Sequence, residues 1–239
     1  MSFLLREVRR TDVKDIYEMT ATFSLLNLPP DERIISEKIE RSIKSFRGDP
    51  INPEDSEFFF VVEDVEKKKV VGTSLILAKH GTEDFPHTYF DVKKREKYSK
   101  ELGIGFIHQV LKMGFDTDGP TEIGGLLVDS KYRGRPEKLG KQISLVRFLY
   151  MGMHRQKFEN RILCELTPPL GPDGRSEFWE ALGRKFTGLP YLEADYLSRT
   201  NKEFIKTLFP EDEIYTCVLD PKARYVIGQI GLSTMPAKH

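Results

Sequence analysis

The stretch spanning residues 121–153 constrains this chain most. TEIGGLLVD is an apolar strand, SKYRGRPEKLGK a basic turn and QISLVRFLYMGM an amphipathic helix. A basic, glycine-bearing turn between a strand and a helix N-terminus is an anion site, because unpaired backbone N–H groups and the positive end of the helix dipole point at one spot. Arg133, Arg135, Lys138 and Lys141 add side-chain charge, and Gly134 and Gly140 let the backbone approach a ligand. A phosphorylated ligand is therefore expected here; the simpler reading is a surface loop with solvated charges.

The rest of the composition makes any cationic site local. The chain has 239 residues, enough for one large domain or two small ones, with 37 basic and 37 acidic side chains. No global field draws it to nucleic acid or an acidic membrane, so neither is expected as a partner. Cys164 and Cys217 lie in apolar segments without metal-ligand spacing; they are expected to be buried thiols in a reducing compartment, with no metal. The N-terminal apolar run is too short for a signal peptide, and no window approaches about 18 apolar residues. A soluble, cytoplasmic protein is expected.

Along the chain, residues 3–8 suggest a strand and residues 13–23 a helix capped by Thr11 or Asp12. DERIISEKIERSIKSF then sets Ile35, Ile39, Ile43 and Phe46 at helical spacing. EFFFVVEDV and KVVGTSLILA suggest two strands, the first central because Phe58 to Val62 are apolar on both faces. Residues 80–120 suggest an inserted hairpin or arm. RILCEL suggests a further strand, and SEFWEALGRKF a helix stacking Phe178, Leu182 and Phe186 on one side, with a short helix and an extended piece after it. The expected organisation is one domain over residues 1–190, carrying the arm, with residues 191–239 as an appended segment packed on it.

This order of elements resembles the GNAT superfamily of acyl-CoA N-acyltransferases. LLNLPPDERIISEKIERSIKSF, VVEDVEKKKVVGTS, RSEFWEALGRKF, the stretch around EADYLS, NKEFIKTLFP, IYTCVLD and VIGQI fall in the order and spacing of arginine N-succinyltransferases, some of which also use ornithine. The resemblance runs from about residue 3 to residue 235. It implies an α/β (α+β) GNAT-type fold, a mixed central sheet flanked by helices, and succinyl transfer from succinyl-CoA, or another acyl-CoA, to the α-amine of arginine or ornithine in arginine catabolism. It also implies a homo- or hetero-oligomer. Carried onto this chain, Leu126, Leu127 and Val128 line the pantetheine arm, while Arg133, Gly134, Arg135, Leu139, Gly140 and Lys141 wrap the phosphates. An acetyltransferase for another amine and a catalytically silent CoA-binding or partner subunit are the alternatives.

Three departures from the family pattern bear on function. The family's loop has two glycines one residue apart where this chain has Lys138-Leu139-Gly140, and the loop is longer by two residues, Pro136-Glu137. The proton-donating histidine that follows VIGQ in the family is Gly231 here. Family members also continue past this chain's last residue, so it is expected to be a fragment or to lack the closing part of the fold.

Acyl transfer from a thioester needs a neutral amine, a polarised carbonyl and a proton for the thiolate. Glu122 and Glu165 sit on the strands that flank the GNAT cofactor cleft; each is open to a role as base, as holder of the acceptor's cation, or as a strand-end carboxylate in water. His80, His87, His108 and His154 show no spacing and suggest surface or satisfied histidines. Many GNAT enzymes carry a proton-donating tyrosine on the helix occupied here by Phe178 and Trp179, which suggest packing. No catalytic residue is assigned from sequence.

Overall fold

Every residue from Phe58 to Val62 is buried, and that places their strand inside a sheet covered on both faces. The computed structural model describes residues 2–22, 28–198 and 201–231. Phe23, expected to end the first helix, and His239 lie outside the described residues. In chain order the elements begin with β1 (Phe3–Glu7), α1 (Val13–Thr22), α2 (Glu32–Arg47), β2 (Glu57–Asp64) and β3 (Lys69–Leu77). The arm follows as β4 (His87–Ser99) and β5 (Ile104–Asp116), and then β6 (Thr121–Val128), α3 (Leu139–Met153) and β7 (Ile162–Leu163). Last come α4 (Arg184–Thr187), α5 (Tyr191–Ser198), α6 (Glu203–Leu208), β8 (Ile214–Tyr215) and α7 (Pro221–Val226).

The chain divides into two compact units, one of residues 1–83 and 118–165, the other of residues 84–117 and 166–239. The first holds a five-stranded sheet in the order β1-β2-β3-β6-β7. Its strands are antiparallel except β6 and β7, which run parallel. Alternation splits β2 between two cores: Phe59 and Val61 pack with Ile16, Ile35 and Ile39 of α1 and α2, and Phe58, Phe60 and Val62 with Leu139, Ile143 and Met151 of α3.

Local chemistry sets the helix ends. The Asp31 carboxylate accepts the N–H groups of Arg33 and Ile34 at the start of α2, and Gly48 closes it at φ 77°. Asp12 caps from within the turn that leads into α1, as the reciprocal half of a capping box with Arg9. It ends a 3-10 turn (Arg10–Asp12), where its carboxylate accepts the Arg9 N–H and both terminal nitrogens of the Arg6 guanidinium.

In the second unit β4 and β5 pair in unbroken register from His87↔Asp116 to Ser99↔Ile104. This hairpin groups with residues 166–239, because β8 pairs with β5 at Val110 and Leu111 and Leu111 packs with Leu182, Phe209, Leu219 and Ala223. The FWEALG helix widens into a π-turn over Trp179–Gly183, with the Trp179 indole N–H donating to the Leu189 carbonyl at 2.8 Å. Phe178 and Leu182 pack inward as expected, while Phe186 stays exposed.

Both cysteines are exposed, against expectation. The RILCEL strand shortens to the two residues of β7, so Cys164 lies past its end, and Cys217 sits in a 3-10 turn. Among the described residues no helix is long and apolar enough to cross a membrane.

Ile39 is fully buried where α2 meets β2. Ile39→Ala is expected to cost about 2–5 kcal/mol, measured by urea denaturation.

Candidate active site

The site begins where two strands part. β7 pairs with β6 only at Thr121↔Ile162 and Glu122↔Leu163, while β6 continues to Val128 with no further β7 partner. On its other side β6 stays paired to β3, with a register shift between Thr73 and Leu75. Gly125 sits opposite that shift at φ 57°, its carbonyl accepting the Thr73 hydroxyl at 2.7 Å. A Cβ there would lie 2.6 Å from the Leu75 side chain, so the position requires glycine.

The bulge changes which side chains face where. Leu126 is 42% exposed, whereas Leu127 is 4% exposed and turned into the core with α1 and α2. Val128 is half-buried against α3. Of the three residues expected to line a pantetheine arm, only Leu126 presents a free side chain; Leu127 has its backbone alone to offer, because the extra residue flips it.

The basic turn is pinned from below. Asp129 N–H donates to the Val71 carbonyl, and its carboxylate accepts the Lys131 N–H. Tyr132 is buried; its hydroxyl donates to Asp64 at 2.8 Å and accepts from Lys67 at 2.9 Å. Gly134 follows at φ 70° and Lys138 at φ 51°, both left-handed.

The helix then starts at Leu139, earlier than the sequence suggests, because Leu139 opens the buried stripe Leu139, Ile143, Arg147, Met151. Leu139, Gly140 and Lys141 therefore form its first turn, whose N–H groups lack acceptors four residues back. The two arginines do not extend toward this end: Arg133 Nε donates to the Val128 carbonyl at 2.8 Å, and Arg135 forks onto Glu137 at 3.0 and 3.2 Å, stacked on the Phe3 ring. The Arg135 hydrogen bond holds Glu137 below the usual carboxylate range. Lys138 and Lys141 are exposed and have no ion-pair partner among the described residues.

At the point of parting stands Glu122, 6% exposed, with Oε2 at 2.8 Å from His80 Nδ1. His80 is fixed by its own N–H, which donates to the Pro120 carbonyl at 2.7 Å. Glu122 and Gly124 line a cavity of about 30 Å³ together with Lys38, Glu57 and Leu75, room for about one or two waters. Glu57 Oε1 accepts from Lys38 at 2.9 Å, while Oε2 is buried without a hydrogen-bond partner. Glu165 is exposed past the end of β7.

Comparison with known proteins settles the lineage. The family profile described as arginine N-succinyltransferase beta subunit matches residues 3–239. The chain belongs to the arginine N-succinyltransferase family. An arginine N-succinyltransferase of Yersinia pestis (strain Pestoides F) is 35% identical over 237 residues, covering 98% of this chain and 67% of that protein. One from Escherichia coli O1:K1 / APEC is 33% identical over 238 residues, covering 98% and 68%. The solved structure of arginine/ornithine succinyltransferase subunit AI from Pseudomonas aeruginosa superposes with a TM-score of 0.79 at 26% identity, over 96% of this chain and 67% of that one. The fold is thus the expected mixed α/β fold, shared with that succinyltransferase subunit, and this arginine N-succinyltransferase family member is an acyltransferase.

Gly231, which the resemblance sets at the place of the family's histidine, is tightly seated. Its N–H donates to the Thr167 carbonyl at 2.8 Å, and a Cβ would fall 2.6 Å from the Pro168 carbonyl oxygen. Backbone oxygen cannot swing aside as a side chain can. Gly231→His is therefore expected to lower stability by about 1–3 kcal/mol in thermal melts, with no gain in thiol release.

Two members of the site escaped sequence reasoning. His80 was one of four scattered histidines, and its role needs the tertiary approach of residue 80 to β6; Glu57 merely begins an apolar strand. Tyr132→Phe removes the hydroxyl from buried Asp64 and is expected to weaken CoA binding about threefold to tenfold by calorimetry, through a looser turn.

Proposed function

We propose that this chain transfers the succinyl group of succinyl-CoA to the α-amine of arginine or ornithine in the cytoplasm. The observation that carries the proposal is buried Glu122 at the point where β6 and β7 separate, beside a cavity of about 30 Å³. The open edge of β6 offers its backbone to a pantetheine amide, and the thioester carbonyl is polarised by an N–H of the same edge. The pyrophosphate sits at the α3 N-terminus, held by N–H groups of Leu139 and Gly140 and by Lys138 and Lys141, with Gly134 letting the turn come close. Arg133 and Arg135 shape the turn more than they grip the ligand, since their guanidinium groups already bond within it.

Glu122, oriented by His80, takes the proton of the attacking amine, directly or through a water in the cavity. The charge of Glu57 is already matched by Lys38 and Arg41, and its Oε2 is left to accept one hydrogen bond from the acceptor or its water. The amine nitrogen then bonds to the thioester carbon, the C–S bond breaks, and the thiolate takes its proton from water or a group other than Gly231.

Mixing the protein with succinyl-CoA and arginine and following free thiol tests the proposal. Glu122→Gln is expected to cut kcat about 100-fold or more while CoA affinity stays unchanged. Absence of turnover with both arginine and ornithine overturns it: CoA binding without thiol release then identifies a silent subunit, and turnover with acetyl-CoA alone an acetyltransferase for another amine.

A further inference from the structure

Three of the four residues on the inward stripe of α3 are apolar: Leu139, Ile143 and Met151. The fourth is Arg147, 4% exposed. An arginine at such a position is normally matched by a carboxylate, because a buried charge without a counter-charge is costly. Among the described residues Arg147 has none. Its Nε donates to the Ser144 carbonyl at 3.1 Å and its Nη2 to the Ser144 hydroxyl at 2.8 Å, both one turn back on the same helix. Its Nη1 reaches the Gly124 carbonyl only at 3.4 Å. All three acceptors are neutral, and they leave part of the five-donor fork unused.

The place of this guanidinium is informative. Gly124, whose carbonyl the guanidinium reaches, lies two residues beyond the last residue of β6 that pairs with β7. Arg147 therefore reaches from α3 to the wedge where the two strands separate. A CoA thioester lying along β6 from Val128 toward Leu126 carries its acyl chain toward Gly124. An acetyl group ends too soon to use a cation there, whereas a four-carbon acyl chain with a terminal carboxylate brings the anion that the site lacks.

We infer that Arg147 binds the terminal carboxylate of the acyl group and so selects a dicarboxylic acyl-CoA over a simple one. The inference rests on the CoA site proposed above. A planar guanidinium, already oriented by Ser144, presents its remaining N–H groups to a carboxylate in a fixed fork. The same chemistry would suit the α-carboxylate of an amino-acid acceptor, so the test omits the acceptor.

Calorimetry with CoA, butyryl-CoA and succinyl-CoA, in the absence of any amine, decides it. Wild-type protein is expected to bind succinyl-CoA about tenfold or more tighter than butyryl-CoA, which has the same chain length without the carboxylate. In Arg147→Gln that ratio is expected to fall to near one, with affinity for CoA itself within about twofold of wild type. Should Arg147→Gln not fold, Arg147→Lys keeps the charge but not the fork, and its ratio is expected to lie several-fold below wild type. A ratio near one in wild type, or an unchanged ratio in whichever variant folds, overturns the inference. A wild-type protein that binds none of the three ligands overturns the CoA site instead.

Discussion

A parallel strand pair that closes over two residues and then separates must be held from outside, and this constraint organises the first unit. β6 cannot rely on β7 beyond Glu122, so its position comes from β3 on one side and from α3 at its end. The Gly125 bulge fastens the first of these through the Thr73 hydroxyl. Tyr132 fastens the second, because its bond to Asp64 ties the turn to the end of β2. An open strand edge exposes unpaired backbone groups, normally a liability; in the proposed function it is the surface a ligand amide pairs with.

The charges of the turn divide their labour in a way composition does not reveal. Arg133 and Arg135 are spent on internal bonds, to Val128 and Glu137, and stiffen the loop. The lysines stay uncommitted. The loop thus carries its own neutralising pair, Arg135 and Glu137. In the proposed function anion binding falls to backbone N–H groups and exposed ammonium groups, a less geometrically selective set than a guanidinium fork.

Much of the fold was legible because its signals are local. The run from Phe58 to Val62, the Ile35 and Ile39 spacing and the strand-turn-helix at residues 121–153 each announce their element without help from distant residues, and the resemblance supplied the order. The misses have physical causes. Leu127 came into the cleft by the resemblance alone, and what no local pattern announces is the bulge at Gly125 that turns its side chain toward α1 and α2. The start of α3 was placed late because Gly140 and three nearby charges look like a turn, whereas Leu139 is already part of the core. Cys164 seemed buried because RILCEL is apolar, yet pairing stops after Leu163. The His80–Glu122 pair joins residues from separate strand ends, and no spacing rule reaches that far.

The seat of Gly231 against the Pro168 carbonyl also limits what that position can become. With a backbone oxygen 2.6 Å from where a Cβ would stand, no side chain enters at residue 231 unless residue 168 moves first. New chemistry in this corner of the fold is therefore reached one substitution at a time only at neighbouring positions.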